Sequence, residues 1–109
     1  MAIAHIVSGQ VVDLHPLGSQ LGEARSTALF KTDGLEVMRL VMPAGKSMPP
    51  HAVKGEITLH CLEGEVAITA DGKPCKLTAG QLLWLEGGMQ HALTAVQDSS
   101  LLLTVVLRK

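Results

Sequence analysis

The stretch Gly80-Gln81-Leu82-Leu83-Trp84-Leu85-Glu86-Gly87-Gly88-Met89-Gln90-His91-Ala92-Leu93-Thr94-Ala95 decides how this chain folds. A short apolar run lies between the glycine at 80 and the pair at 87 and 88, and a second run opens at His91. Runs of this length fall short of the 10 to 12 residues a helix needs and suit strands. The flanking glycines supply the positive φ or the close backbone approach that tight turns require. Outward from this stretch the same punctuation recurs at Asp33-Gly34, Pro43-Ala44-Gly45, Pro49-Pro50, Glu63-Gly64, Asp71-Gly72 and Asp98-Ser99-Ser100. It predicts strands over 26–32, 35–42, 56–62, 65–70, 74–78, 81–85, 91–96 and 101–108, with a weaker run at 10–14. Residues 17–25 form the one candidate helical turn.

Several runs are apolar on both faces, as in Leu101-Leu102-Leu103-Thr104-Val105-Val106-Leu107. A strand buried on both sides needs a second layer, so the expectation is an all-β sandwich or barrel, its outer face covered by a second copy of the chain. With 109 residues there is room for a single domain, read as an N-terminal arm and first strands at 1–34 and a barrel core at 35–109. Charged residues make up 17% of the chain, against a typical figure of about 25%. More surface than usual is therefore expected to be covered, which points to a homodimer.

Nine Lys and Arg against ten Asp and Glu leave a net charge of -1, and Phe30 and Trp84 are the only aromatics. Nucleic-acid binding, which draws on basic fields and stacking faces, is excluded as an expectation. No apolar run approaches the roughly 18 residues of a membrane helix, and the start Met1-Ala2-Ile3-Ala4-His5 has no basic leader. The chain reads as soluble and cytoplasmic, without a membrane partner. Cys61 and Cys75 have neither metal-type spacing nor the density of a disulfide scaffold, so they read as reduced thiols.

From Gly45 onward the spacings resemble the cupin superfamily, small antiparallel barrels of the jelly-roll kind. The second cupin motif, G-x5-P-x-G-x2-H-x3-N, is reproduced in every interval: Gly80, Gly88 and His91 match, while Glu86 replaces the proline and Ala95 the asparagine. Of the first motif, G-x5-H-x-H-x(3 or 4)-E-x6-G, Gly45, His51 and Gly64 stand in place. The resemblance covers about 35–107 and implies a single-domain jelly-roll β-barrel. Metal-binding cupins hold their ion with three histidines and a glutamate. Transferred by position, His51 and His91 survive, the second histidine of the pair is Val53, and the glutamate slot holds Ile57, with Glu56 one place away.

Successive side chains of a strand alternate faces, so Ile57, Leu59 and Cys61 share one face and Glu56, Thr58, His60 and Leu62 the other. With Ile57 inward, the lining is apolar and only two histidines remain. A bulge in the loop at 51–55 would instead turn Glu56 and His60 inward to join His51 and His91 as a metal set for Fe, Mn, Ni or Zn. The favoured function is binding of a small organic molecule around His51 and His91, with Cys61 and Met48 also lining the pocket. Two rivals stay open, a metal-dependent dioxygenase or isomerase and a non-catalytic sensor or partner-binding barrel. The metal-free sugar epimerases among cupins pair a histidine with a tyrosine, and this chain has no tyrosine. Met38, Met42 and Met89 are expected near the pocket mouth or in core gaps, Trp84 in packing, and Arg39 at an exposed or interfacial position.

Overall fold

The computed structural model describes residues 5–108. It contains nine strands: β1 (Thr27–Lys31), β2 (Leu35–Met42), β3 (Ser47–His51), β4 (Ile57–Glu63), β5 (Glu65–Ala70), β6 (Lys73–Thr78), β7 (Leu82–Leu85), β8 (His91–Ala95) and β9 (Ser99–Val106). They form two facing antiparallel sheets, one ordered β1-β2-β9-β4-β7 and the other β3-β8-β5-β6. This is the all-β jelly roll expected from the turn rhythm.

β2 and β5 occupy the expected 35–42 and 65–70, because each is a period-two or doubly apolar run closed by a turn residue. The Asp71-Gly72 hairpin shows the local cause: both residues have positive φ, 51° and 76°, the type I′ geometry that matches strand twist. At Gly64 the backbone has φ 88° and lies against Ser99, leaving no space for a Cβ. Glycine is therefore needed there on two counts.

β3 differs from expectation. Pro49-Pro50 reads as a turn, yet both prolines lie inside a strand. The reason is that β3 is an edge strand and its register shifts between Met48 and His51, so the missing N–H groups fall where the ladder is already interrupted. The run at 10–14 forms no strand, and the helical turn is a 3-10 helix at Gly18–Glu23.

Leu40, Met42, Ile57, Leu59, Cys61, Val66, Ile68, Leu77, Leu85, Leu93, Ala95 and Leu101 form one core between the sheets. Outside it, a polar knot fastens the N-terminal segment. The Glu63 carboxylate accepts hydrogen bonds from the backbone N–H of Leu17 at 2.8 Å and of Gly18 at 3.0 Å, and from the Ser100 hydroxyl. Arg39 Nη2 pairs with it at 3.5 Å and donates to the His15 carbonyl at 2.6 Å. Arg39 thus lies beneath the arm rather than at an exposed position.

Burial opposes ionisation of Glu63, but the hydrogen bonds from Leu17, Ser100 and Gly18, and the charge of Arg39, outweigh it and hold its pKa below the ordinary carboxylate value. A lowered folded pKa stabilises the fold above the unfolded value, and the contribution is lost as pH falls through the folded value. Glu63→Gln is expected to cost about 3 kcal/mol at neutral pH. Urea denaturation should show the gap between wild type and variant closing below the carboxylate range; an equal gap at pH 7 and pH 3 would contradict this role.

Candidate functional site

Two inward-facing rows meet at one end of the sandwich. In the smaller sheet His51 pairs with His91, His91 with Ala70, and Ala70 with Lys73. Directly paired residues of antiparallel strands point to the same face. His91 shares its face with buried Leu93 and Ala95, so the whole row points inward. In the facing sheet the corresponding row is Glu36, Val105, Ile57 and Leu85. The mouth therefore sets a largely polar wall against a largely apolar one.

The loops that present the histidines are locked together by glycine. Gly88 N donates to Val53 O at 2.8 Å, and Gly87 abuts the Lys54 carbonyl, where a Cβ would collide. Gly55 lies equally close against Val106 O. These contacts fix the approach of His91 to the segment that carries His51.

The two imidazoles lie with ring centroids 4.3 Å apart and planes tilted by 56°. His91 is 5% exposed, whereas His51 is exposed. His91 Nδ1 lies 3.0 Å from Met89 O, and His51 Nδ1 3.0 Å from Pro49 O. A carbonyl only accepts, so in each neutral ring the proton sits on Nδ1 and Nε2 keeps its lone pair. Among the described residues, Arg39 Nε is the one buried side-chain nitrogen or oxygen sealed without a partner. Among the described residues His91 Nε2 has no partner either, and it is not sealed from solvent. A cleft of about 270 Å³ touches His91 at the rim, but Thr69 and Ala92, which line it with Pro50, Gly72 and Gln90, face away from the core, so it lies on the outer side of the smaller sheet and not between the two sheets.

Of the four expected metal ligands, the fold brings together His51 and His91. Glu56 Oε1 accepts from Trp84 Nε1 at 3.0 Å, and its other oxygen lies 3.8 Å from Arg108 Nη2. His60 pairs with Leu82 and Leu102 on the outer face of the larger sheet. The bulge that would have turned them inward is absent: β4 stays in register from Ile57 to Cys61, and its shift comes later, between Cys61 and Glu63. Ile57 accordingly occupies the carboxylate slot, 4% exposed.

No group of three His, Cys, Asp or Glu stands together as a ligand set among the described residues. Two imidazoles fall short of the three protein ligands of a catalytic zinc site or the two-histidine, one-carboxylate set of non-haem iron. The residues at the mouth therefore do not fit a resident Fe, Mn, Ni or Zn ion held by protein ligands alone.

Met48 lies one row beneath the histidines, paired with Leu93 and packed on the core. Cys61 does not line the mouth. It is fully buried four residues further along β4 than Ile57, roughly 13 Å of strand away. Its thiol bonds to Glu63 O at 3.3 Å, and burial pushes its pKa up, which suits a core residue and not a nucleophile. Met42 is likewise core at the far end, and Trp84 is 57% exposed instead of packed inside.

Sequence reasoning missed Lys73 and Cys75. Both share the inward face with buried Leu77, yet both are exposed because they lie on the edge strand at the open end. The alternation Lys73-x-Cys75-x-Leu77 was the available signal.

The sequence of residues 38–107 matches the model of a known family, described as "Cupin domain". The chain belongs to the cupins. No curated protein matches it. A conserved Streptococcus pyogenes protein of unknown function is similar at 24% identity and TM-score 0.77, covering 100% of this chain and 96% of that one. A cupin superfamily protein from Desulfitobacterium hafniense is 19% identical with TM-score 0.79, over 99% and 100% of the two chains. An RmlC-like cupin from Shewanella frigidimarina is 20% identical with TM-score 0.74, over 98% and 94%. At these identities the likeness establishes the cupin fold and no activity.

The tautomers are open to direct observation. Long-range 1H–15N correlation at a pH where both rings are neutral is expected to show His51 and His91 protonated at Nδ1. An Nε2–H signal for His91 would contradict the carbonyl lock.

Proposed function

We propose that this cupin binds a small organic molecule at the mouth between the two sheets, with His51 and His91 as the polar groups that orient it and no metal ion held by the protein. The observation that carries this reading is the pair of Nδ1-anchored rings 4.3 Å apart at the end of an inward row, with the inward row of Glu36, Val105, Ile57 and Leu85 in the facing sheet. Small-molecule sites combine an apolar wall with a few fixed polar groups in this way. The metal-dependent reading loses its carboxylate to the Trp84 and Arg108 contacts of Glu56.

Elemental analysis of untagged protein, grown with Fe, Mn, Ni, Zn and Cu and then dialysed, should give well under one metal per chain. A metabolite screen by thermal shift should find ligands whose effect disappears in His91→Ala. One tightly held ion per chain, lost in the same variant, would refute the reading.

We further propose that the chain works as a homodimer through the outer face of the larger sheet. Leu82 and Trp84 stand there 63% and 57% exposed, beside partly buried Val37, Thr58, His60, Leu102, Thr104 and Val106. The ionic groups bordering this face are paired, Glu56 with Arg108 and Arg39 with Glu63. Across a two-fold axis a face meets its own charge, so neutrality favours a second copy as occupant. Trp84→Glu is expected to convert a dimer into a monomer in sedimentation experiments without loss of fold, and a monomeric wild type would defeat the proposal.

A further inference from the structure

The row that carries the histidines continues to Lys73, and this extension says what kind of ligand the mouth suits. Building on the proposed small-molecule site, we infer that the ligand is a small hydroxy acid with an apolar body: its hydroxyl donates to the histidine pair and its acid group pairs with Lys73.

Both imidazoles are anchored through Nδ1–H, so each presents an acceptor at Nε2. Two lone pairs side by side repel a carboxylate and attract a protic group. Lys73 supplies the opposite character at the other end of the same row. His91 pairs with Ala70 and Ala70 with Lys73, which places the Lys73 backbone two strands from His91, about 10 Å away. Between them Ala70 contributes only a methyl group, leaving the floor open for the lysine side chain to reach back. The positive-φ Asp71-Gly72 turn holds Lys73 at this position by fixing the register of the hairpin.

Neither of the two ion pairs among the described residues involves Lys73, and its side chain is exposed at the rim. Partly buried Val105 and the buried Ile57 and Leu85 face this row as its apolar side, with Glu36 at the β2 end of the same facing row. A ligand with a hydroxyl at one end, a carboxylate at the other and a ring or short chain between satisfies all three surfaces.

The full chain would be titrated with 4-hydroxybenzoate, 4-methoxybenzoate and phenol, following the backbone amides of Ala70, Lys73 and His91 by NMR. 4-Hydroxybenzoate is expected to bind more tightly than either analogue. Lys73→Gln should weaken it by about fivefold, the scale of one exposed ion pair, and leave phenol unaffected. Lys73→Arg should restore it, and raised salt should erase the lysine's share. If phenol binds and Lys73→Gln leaves 4-hydroxybenzoate unchanged, the acid assignment fails while the small-molecule site stands. If none of the three compounds moves the mouth amides, the hydroxy-acid assignment falls, while the small-molecule site is decided by the metabolite screen and metal analysis above.

Discussion

Everything at the mouth depends on the unbroken pairing of Ile57 with Leu85 on one side and Val105 on the other. A strand has period two, so one residue of slippage would exchange the faces of β4 completely. Ile57, Leu59 and Cys61 are apolar and buried, and bringing Glu56 and His60 inward would remove that burial and strand a carboxylate among leucines. Burial of an apolar side chain contributes roughly 1.5 to 3 kcal/mol. A register that gives up two or three of them has no compensating gain here. The loss of a metal-type ligand set thus follows from core packing as much as from the individual substitutions.

The same constraint distributes the remaining chemistry. Glu56 and His60 pass to the outer face, where Glu56 accepts from the Trp84 indole and stands 3.8 Å from Arg108. The inner face keeps its polarity at one end only, where strands run out and side chains meet water. His91 is buried and His51 exposed, so their paired rings span the boundary between core and solvent. Backbone carbonyls two residues earlier in the chain, Pro49 in β3 and Met89 in the turn before β8, fix both rings, which makes the lone-pair pattern a property of the backbone trace.

At the opposite end, Glu63 plays a different part. It gathers two backbone N–H groups, a hydroxyl and a guanidinium, and thereby joins the N-terminal segment to β2, β4 and β9. This knot is separated from the histidines by the full core. A change there acts on the attachment of the arm, leaving the geometry of the mouth to the glycine contacts of Gly55, Gly87 and Gly88.

The strand rhythm and the all-β class were legible in the residues, because turn glycines and period-two apolar runs are local signals, whereas the nearness of His51 and His91 was implied by the resemblance to cupins alone. β3 was hidden by Pro49-Pro50, since an edge strand tolerates prolines that a sequence reader must count as breakers. Cys61 was placed on the correct face but at the wrong end, because alternation specifies the side of a strand and not the depth at which a residue lies between two sheets. Lys73 was passed over for a related reason: its neighbours in space, Ala70 and His91, come from strands joined to it only by register. Local backbone preferences write the elements into the sequence. Which polar groups share a mouth is set by hydrogen-bond register between strands far apart in the chain, and only the folded sheets determine that.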